Sequence, residues 1–468
     1  MEQGGERERG GQNQPQQHAA EAIDFAKGHP GGELLPVELF QRASKLAFEE
    51  LAHASDFTKK EVLSYCADEN QAGFVPFREK LAEFINSHVH WEQSEEVNKL
   101  TRAAPEQLFV TTGASSAFSL ACTYFAKPGD TVLVEDPTYY LAPHVFHTDH
   151  HMKLATVPTD HEGIDLNALE RMLKPKEEGG EGVPPPSLLY IVPTFHNPKG
   201  VTLPHAKRRR LVELSKQHGF MVVADEVYQF LYFDEKDAPP PPLACYDLYY
   251  HPNQRPTVLS LHSFSKTLAP GLRLGWIHAH EAIVNKLAHC AVADSGGSFA
   301  PLPSMIVYKA IQEGLLERHL SDLRSTYQRL ANLLYHRLLL HFPLSSSTSL
   351  AEEKVEPVLP NLFTIRKPKG GFFLWITLNK EYLEKNEATG RSLTGAGIAA
   401  ACSRMEHLIV KDGATCTASS LMKEEEGGRA PSEESRHSIR LCWAYLPPEL
   451  IEEGIRRFAR AIQQLLNE

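Results

Sequence analysis

Between residues 108 and 278, short apolar runs rich in β-formers alternate with stretches of helical period, and no other feature of the chain restricts its fold as much. The runs cover 108–112, 131–135, 154–157, 188–192, 221–224, 257–261 and 274–278. Helical segments separate several of them, among them 114–125, closed by Pro128-Gly129, and 205–218, with Gly219 placed as a C-cap. Strands joined by helical crossovers lie parallel, and a parallel sheet needs both faces covered. The alternation predicts an α/β fold whose large domain is a mostly parallel seven-stranded sheet flanked by helices.

On either side the period is helical. Residues 37–54 and 74–90 read as helices, the second from Phe77, Leu81, Phe84 and Ile85 on one face. Residues 303–340 form one long amphipathic helix or two abutting ones, leading into a smaller α+β domain. The expected layout is a disordered tail over 1–22, a segment over 23–55 packing with the small domain, a large domain over 56–324 and a small domain over 325–468. Low-complexity stretches at 177–186, 239–242, 345–349 and 423–435 read as surface loops, stiff where Pro-rich and loose where rich in Gly and Glu.

Composition removes several function classes. The 468 residues carry 48 Lys and Arg against 59 Asp and Glu, and the net charge of −11 repels nucleic acid and acidic membrane surfaces. No stretch approaches the roughly 18 uninterrupted apolar residues of a membrane span. The polar, mixed-charge N-terminus offers no apolar core for a secretory leader. The seven cysteines (Cys66, Cys122, Cys245, Cys290, Cys402, Cys416 and Cys442) are odd in number and never form C-x-x-C. That pattern disfavours a disulfide framework or a zinc ribbon and fits core residues in the cytosol.

The densest chemistry lies in Ser263-Phe264-Ser265-Lys266-Thr267-Leu268-Ala269-Pro270-Gly271-Leu272-Arg273-Leu274-Gly275. An amine at a strand end can form a Schiff base with a carbonyl cofactor. Ser263, Ser265 and Arg273 could hold a phosphate through hydroxyls and a guanidinium fork. Alone, the motif could be a surface lysine beside a turn. It does not stand alone: Asp225 ends the run 221–224 and opens Asp225-Glu226-Val227-Tyr228, and Asn197-Pro198-Lys199-Gly200 follows the run 188–192. Separately, these are a helix N-cap and a turn; together they put three polar groups at the ligand-binding edge of one sheet.

S-F-S-K-x-x-x-P-G-x-R-x-G, D-E-V-Y and N-P-x-G resemble the fold type I, pyridoxal-phosphate-dependent aminotransferases of class I/II, and the likeness runs from Ile23 to the end. Within that class the chain is most similar to the branch holding 2-aminoadipate and kynurenine/aromatic aminotransferases. The resemblance implies roles residue by residue. Lys266 would link to the cofactor covalently and then move the substrate's Cα proton, and Asp225 would keep the pyridine nitrogen protonated. Tyr228 and Asn197 would hydrogen-bond the ring oxygen, and Tyr139 would stack on the ring. Ser263, Ser265, Arg273 and the backbone amides of Ala114 and Ser115 would form the phosphate cup. Relatives place a hydroxyl residue where this chain has Ala114, so one side-chain contact is missing there. Tyr65 matches a tyrosine that reaches the neighbouring subunit's phosphate, which implies a homodimer with composite sites. Arg440 would clamp the substrate's α-carboxylate, Asn197 would also face the substrate, and Gly28 lies in a segment that would close over it.

The expected activity is transfer of an amino group from an L-amino acid (aromatic, 2-aminoadipate-like or broad) to a 2-oxo acid, by a ping-pong cycle. A rival on the same scaffold is β-elimination of a C–S bond, because pocket geometry decides the fate of the carbanion. A further rival is a non-catalytic cofactor sensor, but the short stretch ahead of Ile23 leaves little room for a DNA-binding helix-turn-helix. His147-Thr148-Asp149-His150-His151 could suggest a metal, and Lys207-Arg208-Arg209-Arg210 nucleic acid. A solvated loop and a solvated helix face are the simpler readings.

Overall fold

The structure, a computed structural model, describes residues 22–65, 71–89, 102–176, 179–344, 357–387, 393–422 and 430–467. The tail expected over 1–22 (all but Ala22), Cys66 and the loop at 345–349 lie outside the described residues, as do parts of 177–186 and 423–435. Each apolar run is a strand: β1 (Leu108–Thr111), β2 (Thr131–Asp136), β3 (Lys153–Asp160), β4 (Pro186–Ile191), β5 (Met221–Asp225), β6 (Val258–Ser263) and β7 (Gly275–Ala279). Their order in the sheet is β1-β7-β6-β5-β4-β2-β3, and Gly163–Ile164 adds an eighth, two-residue strand beyond β3. Two residues show no period, so the sequence pattern stops at seven. From β2 to β6 the pairings are parallel, and β7 runs antiparallel to both β6 and β1.

Alternation along the strands feeds two cores. On one face Val222 and Ala224 of β5 pack with Leu133, Leu189, Leu211 and Val212. On the other, Met221 and Val223 pack with Val134, Leu188, Tyr190, Ala117 and Phe118. The first face is covered by α4 (His205–His218) and the second by α3 (Ala114–Phe125), which follow α1 (Val37–His53) and α2 (Val75–His88) in the chain. Gly219 closes α4 at φ +77, the left-handed conformation expected of a C-cap glycine.

The basic run on α4 corrects the expectation of a solvated face. Arg208 is fully buried, and it shares a helix face with Leu211, Val212 and Ser215. Arg209 is exposed, as expected. Residues 147–149 likewise belong to a π-helical turn, Val145–Asp149, rather than a loop. His147 Nδ1 is 3.2 Å from the Met152 carbonyl, and His150 Nε2 is 2.9 Å from Ser119 Oγ. The stretch 423–435 ends in a short helix, Glu433–Arg436, which the sequence reading took as loop.

The helical stretch 303–340 is two helices, α5 (Pro301–Gln312) and α6 (Leu315–His341), broken at Gly314 with φ +63. Beyond them β8 (Phe363–Ile365), β9 (Phe373–Leu378), β10 (Lys411–Asp412) and β11 (Ser438–Cys442) form an antiparallel sheet ordered β8-β9-β11-β10. The last helix, α7 (Pro448–Asn467), packs against Gly395–Glu406 and α6. At the other end of the chain, Ile23–Asp24 pairs in parallel with Leu408–Ile409, while α1 lies along α5.

Candidate active site

A cavity of about 200 Å³ opens at the carboxyl ends of β4, β5 and β6. Its walls include Ala114, Ser115, Tyr139, Asn197, Asp225, Tyr228, Ser263, Ser265, Lys266 and Arg273, all singled out from the sequence, and also Phe118, Val192, Val227 and Pro270. A larger cleft of about 1000 Å³, bounded by Asp160, Phe195, Lys199, Arg366 and Trp375, contains none of the expected site residues. The expected site residues therefore gather at the smaller space.

Lys266 follows β6, and its Nζ donates to the Gly28 carbonyl at 2.8 Å. Burial lowers its pKa by disfavouring the ammonium, and nearby Asp225 works against that shift. Asp225 is the last residue of β5, on the face of Met221 and Val223 that borders the cavity. Its Oδ2 accepts from the Tyr190 hydroxyl at 2.7 Å, while Oδ1 has no partner among the described residues. Burial pushes its carboxyl up to about 6, against the Tyr190 hydrogen bond and the Lys266 charge. The next residue points the other way: Glu226 accepts from Arg208 Nη1 at 2.8 Å. The paired acids of D-E-V-Y thus serve opposite faces of the sheet.

At the far end of the cavity, β1 turns into α3 at Gly113, with φ +107. That positive φ is what calls for glycine, and a Cβ there would also lie 2.9 Å from Arg273 Nη2 and displace the guanidinium. Arg273 donates to the carbonyls of Thr112 (3.0 Å) and Pro270 (3.1 Å), and Ser263 Oγ donates to Ser265 Oγ at 2.9 Å. A guanidinium, two hydroxyls and a helix N-terminus converge there, which is the donor set of a phosphate site.

Arg440 and Gly28 do not line this cavity but touch residues that do. Arg440 Nη1 donates to Asn197 Oδ1 at 2.9 Å and Nη2 to the Ala26 carbonyl at 2.5 Å. Its Nε is buried without a partner among the described residues, a free donor suited to a carboxylate. Tyr139 and Tyr228 have their hydroxyl pKa values raised by burial first and Asp225 second, so both remain donors. Tyr65 is 76 % exposed and lies outside the cavity of its own chain.

Two residues escaped the sequence reading. Tyr190 alternates with Val192 along one face, and it is the one side chain able to donate within an otherwise apolar run, which was its available signal. Arg208 was legible from its i, i+3, i+4 spacing to Leu211 and Val212. Among the described residues no cluster of His, Cys, Asp and Glu could hold a metal, and no helix is long and apolar enough to cross a membrane. Cys122, Cys245, Cys290, Cys402, Cys416 and Cys442 are buried and in no disulfide among the described residues.

The residues present fit a ligand with an anionic group at the Arg273 end, a protonated ring nitrogen for the open Asp225 oxygen and a carbonyl for Lys266. Residues 69–458 match the family described as aminotransferase class I and II. The chain is 29% identical to the 2-aminoadipate transaminase of Thermus thermophilus over 95% of its length and 91% of the relative's. It is 28% identical to aromatic-amino-acid aminotransferase 1 of Thermococcus litoralis, over 95% and 89% of the two chains. Its fold matches the crystal structure of the Thermus thermophilus α-aminoadipate aminotransferase, complexed with N-(5'-phosphopyridoxyl)-L-leucine. The TM-score is 0.70 with 29% identity, covering 95% of this chain and 93% of that one.

Proposed function

The chain belongs to the class I and II aminotransferases and is a pyridoxal-phosphate-dependent transaminase of fold type I; from that premise we propose which residues perform the transfer, on which substrates and in what assembly. The observation that carries the site assignment is the buried Lys266 amine in one cavity with Asp225, whose Oδ1 is left open. When bound, pyridoxal phosphate supplies a carbonyl for the substrate's amine and an electron sink for the bond broken at Cα.

The chain's own residues do the rest. Ser263, Ser265, Arg273 and the amides after Gly113 anchor the phosphate and fix where the reacting carbon lies. Asp225 is ionised at neutral pH, and a carboxylate there holds a proton on the ring nitrogen. Lys266, with its pKa lowered by burial, has a larger neutral fraction and would accept the proton from Cα and return it at the carbon that was the cofactor's carbonyl. Arg440 receives the substrate's α-carboxylate through its open Nε, held in place by Asn197 and the Ala26 carbonyl. Tyr139 covers one wall, and Tyr228 supplies a hydroxyl donor toward the ring oxygen.

The substrates are an L-amino acid, aromatic or 2-aminoadipate-like, and a 2-oxo acid acceptor. The names of the similar proteins support this class. The working assembly is a homodimer in the cytoplasm. Exposed Phe48 on α1, Phe57 and Leu63 on the short helix Asp56–Leu63, and Tyr65 just beyond it support a partner surface. Incubation of the holoenzyme with single amino acids and 2-oxoglutarate tests the reading: the donor's 2-oxo acid and glutamate must appear in equal amounts. Ammonia released in place of glutamate would assign elimination instead.

A further inference from the structure

Tyr190 does not line the cavity but bonds to Asp225, which does, and it has no part in the transfer as described so far. It pairs with Val223 across β4 and β5, so Asp225 is its diagonal neighbour on the same face, within reach of a tyrosine side chain. The ring is fully buried, edge-on to Phe118 (5.9 Å between centroids) and Phe146 (5.5 Å). That packing needs the ring alone. The hydroxyl, by contrast, makes a single hydrogen bond among the described residues, to Asp225 Oδ2 at 2.7 Å.

We propose that Tyr190 is a positioning residue for Asp225: its hydroxyl occupies Oδ2, so that Oδ1, which has no hydrogen-bond partner among the described residues, is the oxygen available to the ring nitrogen of the bound cofactor. This rests on the reading of the cavity given above. Burial and the adjacent carboxylate raise the Tyr190 pKa well above that of an ordinary phenol, so the proton stays on the tyrosine and the bond keeps its direction. The titratable and charged groups facing the pair are Tyr139, Tyr228, Lys266, Glu135 and, beyond them, Arg440. Of these, only Lys266 adds to Tyr190 in favouring the charged form of Asp225.

The test uses pyridoxamine 5'-phosphate, which has no carbonyl for Lys266, and measures its affinity for the apoenzyme across a pH series. Wild type should lose affinity on the acid side, with a midpoint that Asp225→Asn abolishes. Tyr190→Phe keeps the ring but removes the donor, so Asp225 protonates more readily; the midpoint should rise by about one pH unit, with about tenfold weaker binding on the acid side of the wild-type midpoint and about twofold weaker binding at neutral pH. In the Asp225→Asn background the same change should do nothing further. An unmoved midpoint, or an equal loss with and without Asp225, overturns the proposal and leaves the cofactor reading standing. Wild-type binding that is absent, or indifferent to Asp225→Asn, overturns the cofactor reading and the proposal with it. Should Tyr190→Phe fail to fold, 3-fluorotyrosine in place of Tyr190, a near-isosteric and stronger donor, must move the midpoint down, and an unchanged midpoint overturns the proposal.

Discussion

Asp225 is 5 % exposed, and burial raises its carboxyl from 3.8 to about 6, so the folded apoenzyme binds a proton there more tightly than the unfolded chain does. For an acid raised in this way, stability is highest below the unfolded value and falls as pH rises through the window from 3.8 to about 6, levelling off above it. The loss is on the order of 2–3 kcal/mol. Apo Asp225→Asn should therefore melt at the same temperature as apo wild type near the bottom of that window and increasingly above it toward neutrality, while binding the cofactor far less tightly. Melting curves of the two apoproteins across the window check this, and a constant gap would remove the argument. At this scale most of the candidate site was legible: Asp225 ends an apolar run, Asn197, Ser263, Ser265 and Lys266 follow shortly after one, and Arg273 directly precedes one. Tyr190 was not, because an aromatic inside such a run looks like core until the register of β4 against β5 sets it beside Asp225.

At the scale of elements, α4 shows what the sequence could and could not convey. Its position and C-cap were evident, yet the basic run 207–210 reads as one solvated face unless the spacing of Arg208 to Leu211 and Val212 is weighed. Arg208 is tied to Glu226 (2.8 Å) and to the carbonyls of Leu203, Pro193 and Pro241, holding α4 against the loops that leave β4 and β5. All of its donors are satisfied, so its removal would strand a buried carboxylate at Glu226. Arg208→Met should cost about 3–5 kcal/mol in denaturant unfolding. Arg209→Ala, in an exposed pair with Glu213, should change stability by less than about 1 kcal/mol. Equal effects of the two substitutions would contradict the burial assigned to Arg208. The strands were the clearest elements, since full burial on both faces leaves a continuous apolar run. The Glu433–Arg436 helix was hidden because four polar residues carry no period, and only tertiary contact explains it: Ser435 Oγ donates to Asp136 Oδ1 at 3.3 Å, and Glu434 receives Lys199 at 2.9 Å.

For the whole molecule, those contacts and the bond from Arg440 to Asn197 join the small domain to the rim of the large sheet, so the proposed substrate clamp and the proposed cofactor cavity share one seam. Tyr65, 76 % exposed, belongs to the proposed dimer. If it serves the partner's phosphate cup, hybrid dimers of Lys266→Ala and Tyr65→Ala chains should hold one complete site and bind about one cofactor per dimer with wild-type affinity, although neither parent does. A hybrid no better than its Tyr65→Ala parent would place Tyr65 outside the site. The central claim, that Lys266 carries out amino transfer in this cavity, meets its most direct test in the visible absorbance of the purified holoenzyme. The account predicts a visible cofactor band that bleaches when a competent amino acid is added alone, returns when a 2-oxo acid follows, and shows neither change in Lys266→Ala. No band with added pyridoxal phosphate, or bleaching that Lys266→Ala reproduces at the same rate, would contradict it.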